Sequence, residues 1–296
     1  MLRKMAAVPK KFRIQYASDL HLELYDTLPM FETFLKPCAP YLALAGDIGH
    51  PNHVGSLLEW VAPQWKHIFY TPGNHEYYGG VLQEREDALR QLTAAHENVH
   101  FLHPADAFLL EEENVVVLGG TLWSDVPRVS GWRKCNDYKR IQCGNDRNPY
   151  RVFEHLNNLH KEHRQLLDNQ IDVWADRGAE ICVITHHLPS FQLIHPRFWE
   201  SEVNPCFAST VDALLRPPVR IWIYGHSHAC SHHVINGVLC VSNARGYEDE
   251  RVPGWKPDVW MEFPTRDPQE LEATMKIKQT PLQHIDTTEP EDVEFL

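Results

Sequence analysis

Five short stretches carry side chains able to hold a metal ion: Ser18-Asp19-Leu20-His21, Gly46-Asp47, Gly73-Asn74-His75-Glu76, His186-His187 and Gly225-His226-Ser227-His228. Asp19, His21, Asp47, Asn74, His186, His226 and His228 offer oxygen and imidazole nitrogen in comparable amounts and no thiolate. Such a donor set suits Mn, Fe, Zn or Co rather than copper or iron–sulfur chemistry. It also exceeds what one ion can use with a position left open for water, so it implies two divalent or trivalent ions sharing a carboxylate. Two ions roughly 3.5–4 Å apart are the usual arrangement for displacement at phosphorus. The seven cysteines are odd in number and scattered, with no Cys-x-x-Cys pair. That fits reduced thiols better than a disulfide framework or a structural zinc.

Donors this far apart in sequence meet only where a scaffold gathers them. The apolar runs are short, rich in β-branched and aromatic residues, and separated by longer helical patterns, which is the rhythm of an α/β protein. The expected strands are Phe12–Ala17, Tyr41–Ala45, His67–Tyr70, Val115–Leu118, Ile181–Thr185, Ile221–Tyr224, His233–Ile235 and Val238–Ser242. The expected helices are Val54–Val61, Val81–Ala95, a stretch within Tyr150–Arg177, and Ser209–Leu215. Each donor cluster follows one of these strands, and in open α/β sheets ligands gather beyond the carboxyl ends of the strands. A period-two backbone would point Asp19 and His21 to one side with Leu20 turned away, and would do the same for His226 and His228. A glycine precedes Asp47, Asn74 and His226, where the chain must turn sharply and pass close to a site. His186 lies nearer its strand end than His187 and is the better-placed donor; His187 is left to support it or to meet substrate.

In this order, each behind a strand, Asp-x-His, Gly-Asp, Gly-Asn-His, a lone His and Gly-His-x-His resemble the signature of the calcineurin-like metallophosphoesterase superfamily. Leu22-Glu23, Gly119–Trp123, Asn136-Asp137-Tyr138 and Asn243-Ala244-Arg245-Gly246-Tyr247 look like pieces of one intracellular bacterial-type branch and extend the resemblance to about Phe263. The resemblance implies a four-layer α-β-β-α sandwich. It implies that Asp19, His21 and His228 hold one ion, that Asn74, His186 and His226 hold the other, and that Asp47 bridges them. A metal-held hydroxide would attack phosphorus in line. His75 would stand near the leaving oxygen as a general acid or electrostatic stabiliser, oriented by Glu76 or Asp47.

The rest of the chain bounds the partners. Its 296 residues, 43% hydrophobic and 23% charged, suffice for one large domain with its own core, expected over 11–264. A formal net charge of −12 counts against a nucleic-acid backbone as partner. Residues 124–165 form a basic segment inside this acidic chain, carrying Arg128, Arg133, Lys134, Lys139, Arg140, Arg147 and Arg151, and read as a cap or insertion. Two readings stay open there: a solvated face, or phosphate recognition through a guanidinium such as Arg140. Arg245, just beyond a strand that follows the last metal motif, has the same standing. Residues 265–296 read as an acidic, flexible tail. No apolar run approaches the roughly 20 residues of a membrane helix, and the first ten residues lack the apolar core of a secretory signal. A soluble, cytoplasmic protein with no membrane partner is expected. Its expected activity is hydrolysis of a phosphomonoester or phosphodiester of a small molecule or nucleotide; a nuclease and a non-catalytic metal-binding scaffold are the competing readings.

Overall fold

The computed structural model describes residues 11–265. Beyond Thr265 the expected acidic tail lies outside the described residues. One sheet is built from β1 (Lys11–Ala17), β2 (Tyr41–Ala45), β3 (His67–Thr71), β4 (Val99–Phe101) and β11 (Trp260–Pro264), in the order β11-β1-β2-β3-β4. The other holds β5 (Phe108–Leu110), β6 (Val115–Gly120), β7 (Glu180–Thr185), β8 (Val219–Ile223), β9 (Ser231–Ile235) and β10 (Val238–Ser242), in the order β5-β6-β7-β8-β10-β9. The inner strands pair in parallel, and the antiparallel partners β11, β5 and β9 stand at sheet edges.

Period-two alternation explains how the layers stack. On β2, Tyr41, Ala43 and Ala45 join Val117, Ile184 and Ile223 in the core between the sheets. Leu42 and Leu44 point the other way, onto Leu57 and Leu58 of α1 (Pro51–Val61) and Leu89 of α2 (Leu82–Ala94). On β7, Cys182 and Ile184 face inward, while Ile181 and Val183 meet Leu167 and Ile171 of the long helix Pro149–Asp176. The result is four layers, helix on sheet on sheet on helix. Strands covered on both faces must be apolar throughout, which is why these runs read as continuous hydrophobic stretches.

A further apolar cluster lies outside this sandwich. Trp123, Trp132, Tyr138 and Phe153 pack with Tyr77, Tyr78 and Leu82, so the 124–165 segment rests on the loop that follows Asn74. Within it, Asp137–Arg140 forms a short helix, here α3, and Pro149–Asp176 becomes α4.

Three expectations need correction. Ser209–Leu215 is not an α-helix; only Asp212–Leu214 makes a 3₁₀ turn. The amides of Ser209 and Val211 are spent on Leu188 and Pro189 carbonyls, which holds the chain extended, and Pro217-Pro218 close the segment. Strands β4, β5 and β11 were not expected: two are only three residues long, and the third follows an aromatic, Pro-containing loop. Cys135 and Cys206 are joined as a disulfide rather than held as thiols, while Cys38, Cys143, Cys182, Cys230 and Cys240 are free. No helix among the described residues is long and apolar enough to cross a membrane.

His163 on α4 gives the fold a pH dependence. It is buried, its Nδ1 has no hydrogen-bond partner, and burial, helped by His103 and His160, pushes its pKa down from 6.5 to about 3. The unfolded chain therefore takes up a proton that the folded chain refuses, so stability is lost as pH falls below the unfolded value. The slope from one such group is about 1.4 kcal/mol per pH unit. Between pH 7 and pH 5, His163→Leu is expected to lose about 2 kcal/mol less stability than the parent, as measured by urea unfolding at both pH values.

Candidate metal centre

Every expected donor stands at the carboxyl end of a strand, on a loop one or a few residues long. The geometry is not the period-two continuation expected for Asp19-x-His21 and His226-x-His228. Strand β1 ends at Ala17, and Asp19 and His21 both adopt left-handed backbone, at φ 55° and 48°. Asp47, His226 and His228 do the same, at 52°, 67° and 44°. The loops brace one another: the Asp19 amide donates to the Gly46 carbonyl at 2.9 Å and the His21 amide to the Asp47 carbonyl at 3.0 Å. Leu20 does turn away, fully buried beside α1. The glycines act as expected: Gly46 is itself left-handed at φ 84°, and a Cβ at Gly73 would collide with the Asp47 carboxylate.

Two groups of donors result. Asp19, His21 and His228 bring ligand atoms within 4.8 Å of one another, and so do Asp47, His186 and His226. Asn74 joins the second group, its Oδ1 lying 3.0 Å from His186 Nε2. The His226-x-His228 pair is thus split between the groups rather than kept on one side. Asp47 faces both, with Oδ1 3.4 Å from His186 Nε2 and Oδ2 3.9 Å from His21 Nε2. In the first group His21 Nε2 and His228 Nε2 confront each other at 3.0 Å.

Three of the four ligand imidazoles are set up as metal ligands should be, with one ring nitrogen bound to an outer acceptor and the other turned inward. His21 Nδ1 donates to Glu23 at 3.2 Å, His186 Nδ1 to the Ala45 carbonyl at 2.9 Å, and His228 Nδ1 to Glu250. The backbone amide of His226 donates to both Asp19 oxygens, at 3.0 and 3.1 Å. Nitrogen and oxygen lone pairs therefore converge on two small volumes, a donor set that fits a pair of cations. Burial opposes charge on His186, but the adjacent Asp47 outweighs it and raises the ring to about 10. Burial, and then His187 and His186, push His226 well down.

His75 lies beside both groups. Its Nδ1 donates to Glu23 at 2.8 Å, and its Nε2 faces Asp47 Oδ2 at 3.9 Å and the Tyr247 hydroxyl at 3.4 Å. Burial works against its charged form, but Asp47 and Glu23 outweigh it and raise its pKa. Of the two residues expected to orient His75, Asp47 accepts from its amide and faces its ring, while Glu23, and not Glu76, takes the Nδ1 bond. The Glu76 carboxylate is turned into the protein, where it accepts from the amides of Asp47 (3.1 Å), Ile48 (2.8 Å) and Gly73 (2.9 Å) and from the Tyr70 hydroxyl (3.2 Å). Burial and Asp47 raise its pKa to about 8.

His187 is buried behind the centre, its amide and Nδ1 at the Thr121 carbonyl and its ring 4.3 Å from that of His226. Arg140 stacks on Tyr78 at 4.7 Å, and Tyr78 stacks on His75 at 4.3 Å, so the guanidinium is one ring removed from the centre. Arg245 lies over Phe34 at 4.9 Å and Tyr25 at 5.6 Å. Glu23, Asp137 and Tyr247 fall in stretches singled out in the sequence as branch-like, but nothing in their spacing gave them a role; Glu250 carried no signal.

The two glutamates separate positioning from scaffolding. Glu76→Leu leaves three buried amides without an acceptor and is expected to cost about 3 kcal/mol or more. Glu23→Gln is expected to keep the melting temperature while turnover falls about 10–100-fold. Thermal melts beside rate measurements check both; a Glu76→Leu protein as stable as the parent would refute the scaffold role.

The profile of the calcineurin-like phosphoesterase family matches residues 12–230. The chain is 26% identical over 263 residues to an uncharacterized protein, L509, of Acanthamoeba polyphaga mimivirus, covering 80% of this chain and 92% of that one. Among solved structures, the phosphopantetheinyl hydrolase of Mycobacterium tuberculosis superposes with a TM-score of 0.61 at 17% identity, over 80% of this chain and 90% of its own, which shows a shared fold. Matched by that profile from the first strand to beyond the last histidine pair, the chain belongs to the calcineurin-like phosphoesterase family, whose members hydrolyse phosphoric esters with bound metal.

Proposed function

We propose that the protein hydrolyses phosphodiesters of small molecules, nucleotides among them, at a two-ion centre. Asp19, His21 and His228 hold one ion, Asn74, His186 and His226 hold the other, and Asp47 stands between them. The observation that carries this reading is the pair of donor groups sharing Asp47, whose two oxygens face different histidines. Bound there, two cations lower the pKa of water and offset charge on phosphoryl oxygens.

The chain's own residues supply the rest. His75, whose charged form Glu23 and Asp47 favour, presents Nε2 on the side of the centre where a leaving oxygen can take its proton. The Tyr247 hydroxyl beside it gives a second donor at the same place. Among the described residues no arginine or lysine hydrogen-bonds or ion-pairs with the donor groups. A diester, with one negative charge, needs less positive charge there than a doubly charged monoester. Arg140, one ring out, is placed to meet a more distant phosphate of a larger substrate.

Metal-free protein reloaded with Mn, Fe, Zn, Co or Mg is expected to cleave bis-p-nitrophenyl phosphate faster than p-nitrophenyl phosphate, and His226→Ala to abolish both activities. His75→Asn is expected to reduce kcat about 10²–10⁴-fold on an alkyl diester. The loss is smaller on the nitrophenyl diester, whose phenolate leaves without much help. An equal loss on both would remove His75 as the acid, and a preference for the monoester would overturn the diester reading.

A further inference from the structure

We infer that Asp137, carried on α3 within the 124–165 segment, is a positioning residue that sets the Asn74 amide, so that this segment completes the metal group containing His186 and His226. The inference rests on Asn74 being a ligand.

A carboxamide has nearly the same shape either way round, and which end faces a cation is decided by what the other end meets. Here the choice is made by a closed triangle. Asn74 Nδ2 donates to Asp137 Oδ1 at 2.8 Å and to the Tyr78 hydroxyl at 2.9 Å, and the Tyr78 hydroxyl donates to the same Asp137 oxygen at 2.6 Å. A carboxylate only accepts, so it selects the NH₂ end and leaves Oδ1 toward His186 Nε2, 3.0 Å away. All three side chains are at most 5% exposed, so water does not compete for these bonds. Among the described residues Asp137 makes no ion pair; its bonds go to Asn74 and Tyr78.

The position of Asp137 is in turn set by the segment's own packing. Tyr138 is edge-on to Trp132 at 5.3 Å and lies 5.6 Å from Phe153. Main-chain bonds then dock α3 on the loop after Asn74: the Gly79 amide donates to the Arg140 carbonyl at 2.8 Å, the Leu82 amide to the Gln142 carbonyl at 2.8 Å, and the Gln142 amide to the Gly80 carbonyl at 3.0 Å. An aromatic cluster outside the sandwich thereby fixes which atom of Asn74 is offered to an ion.

The test is Mn²⁺ binding to the metal-free, full-length chain by titration calorimetry. Asn74→Ala and Asp137→Ala are both expected to weaken the same one of two sites about 10–100-fold, with the other site little changed. Asp137→Asn can still accept both bonds and is expected to restore binding to within about threefold. Should Asp137→Ala not fold, a second pair decides: Asn74→Asp sets two carboxylates against each other and is expected to bind at least tenfold more weakly than Asn74→Asp combined with Asp137→Asn. If Asn74→Ala weakens a site and Asp137→Ala does not, or if the second pair binds alike, Asp137 does not position Asn74. If Asn74→Ala changes neither site, the ligand assignment itself fails and this inference falls with it.

Discussion

A carboxylate withdrawn from water must be met by donors and positive charge, and Asp47, 1% exposed, is met on every side. Its Oδ1 takes the His75 amide at 2.9 Å and faces His186, while its Oδ2 faces His21 and the His75 ring. These partners come from the ends of β1, β3 and β7, two in one sheet and one in the other. They can surround a single side chain only if the sheets pack face to face with those ends at a common edge. The parallel order of β1, β2 and β3 beside that of β6, β7 and β8 provides this arrangement.

Crowding so many lone pairs together has a local cost. Five of the seven expected ligands hold left-handed backbone that L-residues avoid by roughly 1–2 kcal/mol each. Such conformations persist only where the surroundings over-determine them. Glu76 supplies much of that constraint, since one buried carboxylate ties the Asp47 loop to the Gly73 loop. Glu76 was one of two residues, with Asp47, expected to orient His75. The structure sends it inward, and the neighbour across the fold, Glu23, takes that place.

The donors were legible because their chemistry is carried by residue type and by position behind an apolar run, and both survive in a linear string. The four layers were legible through the resemblance, and their strands through β-branched runs long enough to show. What could not be read depended on contacts between segments. Strands as short as Val99–Phe101 and Phe108–Leu110 have no period of their own and exist because β3 and β6 present free edges to them. The period-two argument for Asp19 and His21 gave the right neighbours for the wrong reason, because two loops bracing each other do what a strand was expected to do. The bond from Asp137 to Asn74 spans 63 residues and leaves no trace in spacing. The helix expected at Ser209–Leu215 failed for a related reason: its amides found partners on the chain leaving β7.

The electrostatics also bear on the choice of ester in the proposed reading. Asp19, Asp47, Glu23 and Glu250 all lie against histidines of the centre, within a chain of net charge −12, so carboxylate and imidazole charge partly offset one another there. Two divalent cations would match those four carboxylates, and Arg140, one ring out, adds positive charge nearby. On the proposed reading, the same carboxylates that orient the imidazoles would hold the net charge at the loaded centre low, which suits a singly charged diester better than a doubly charged monoester.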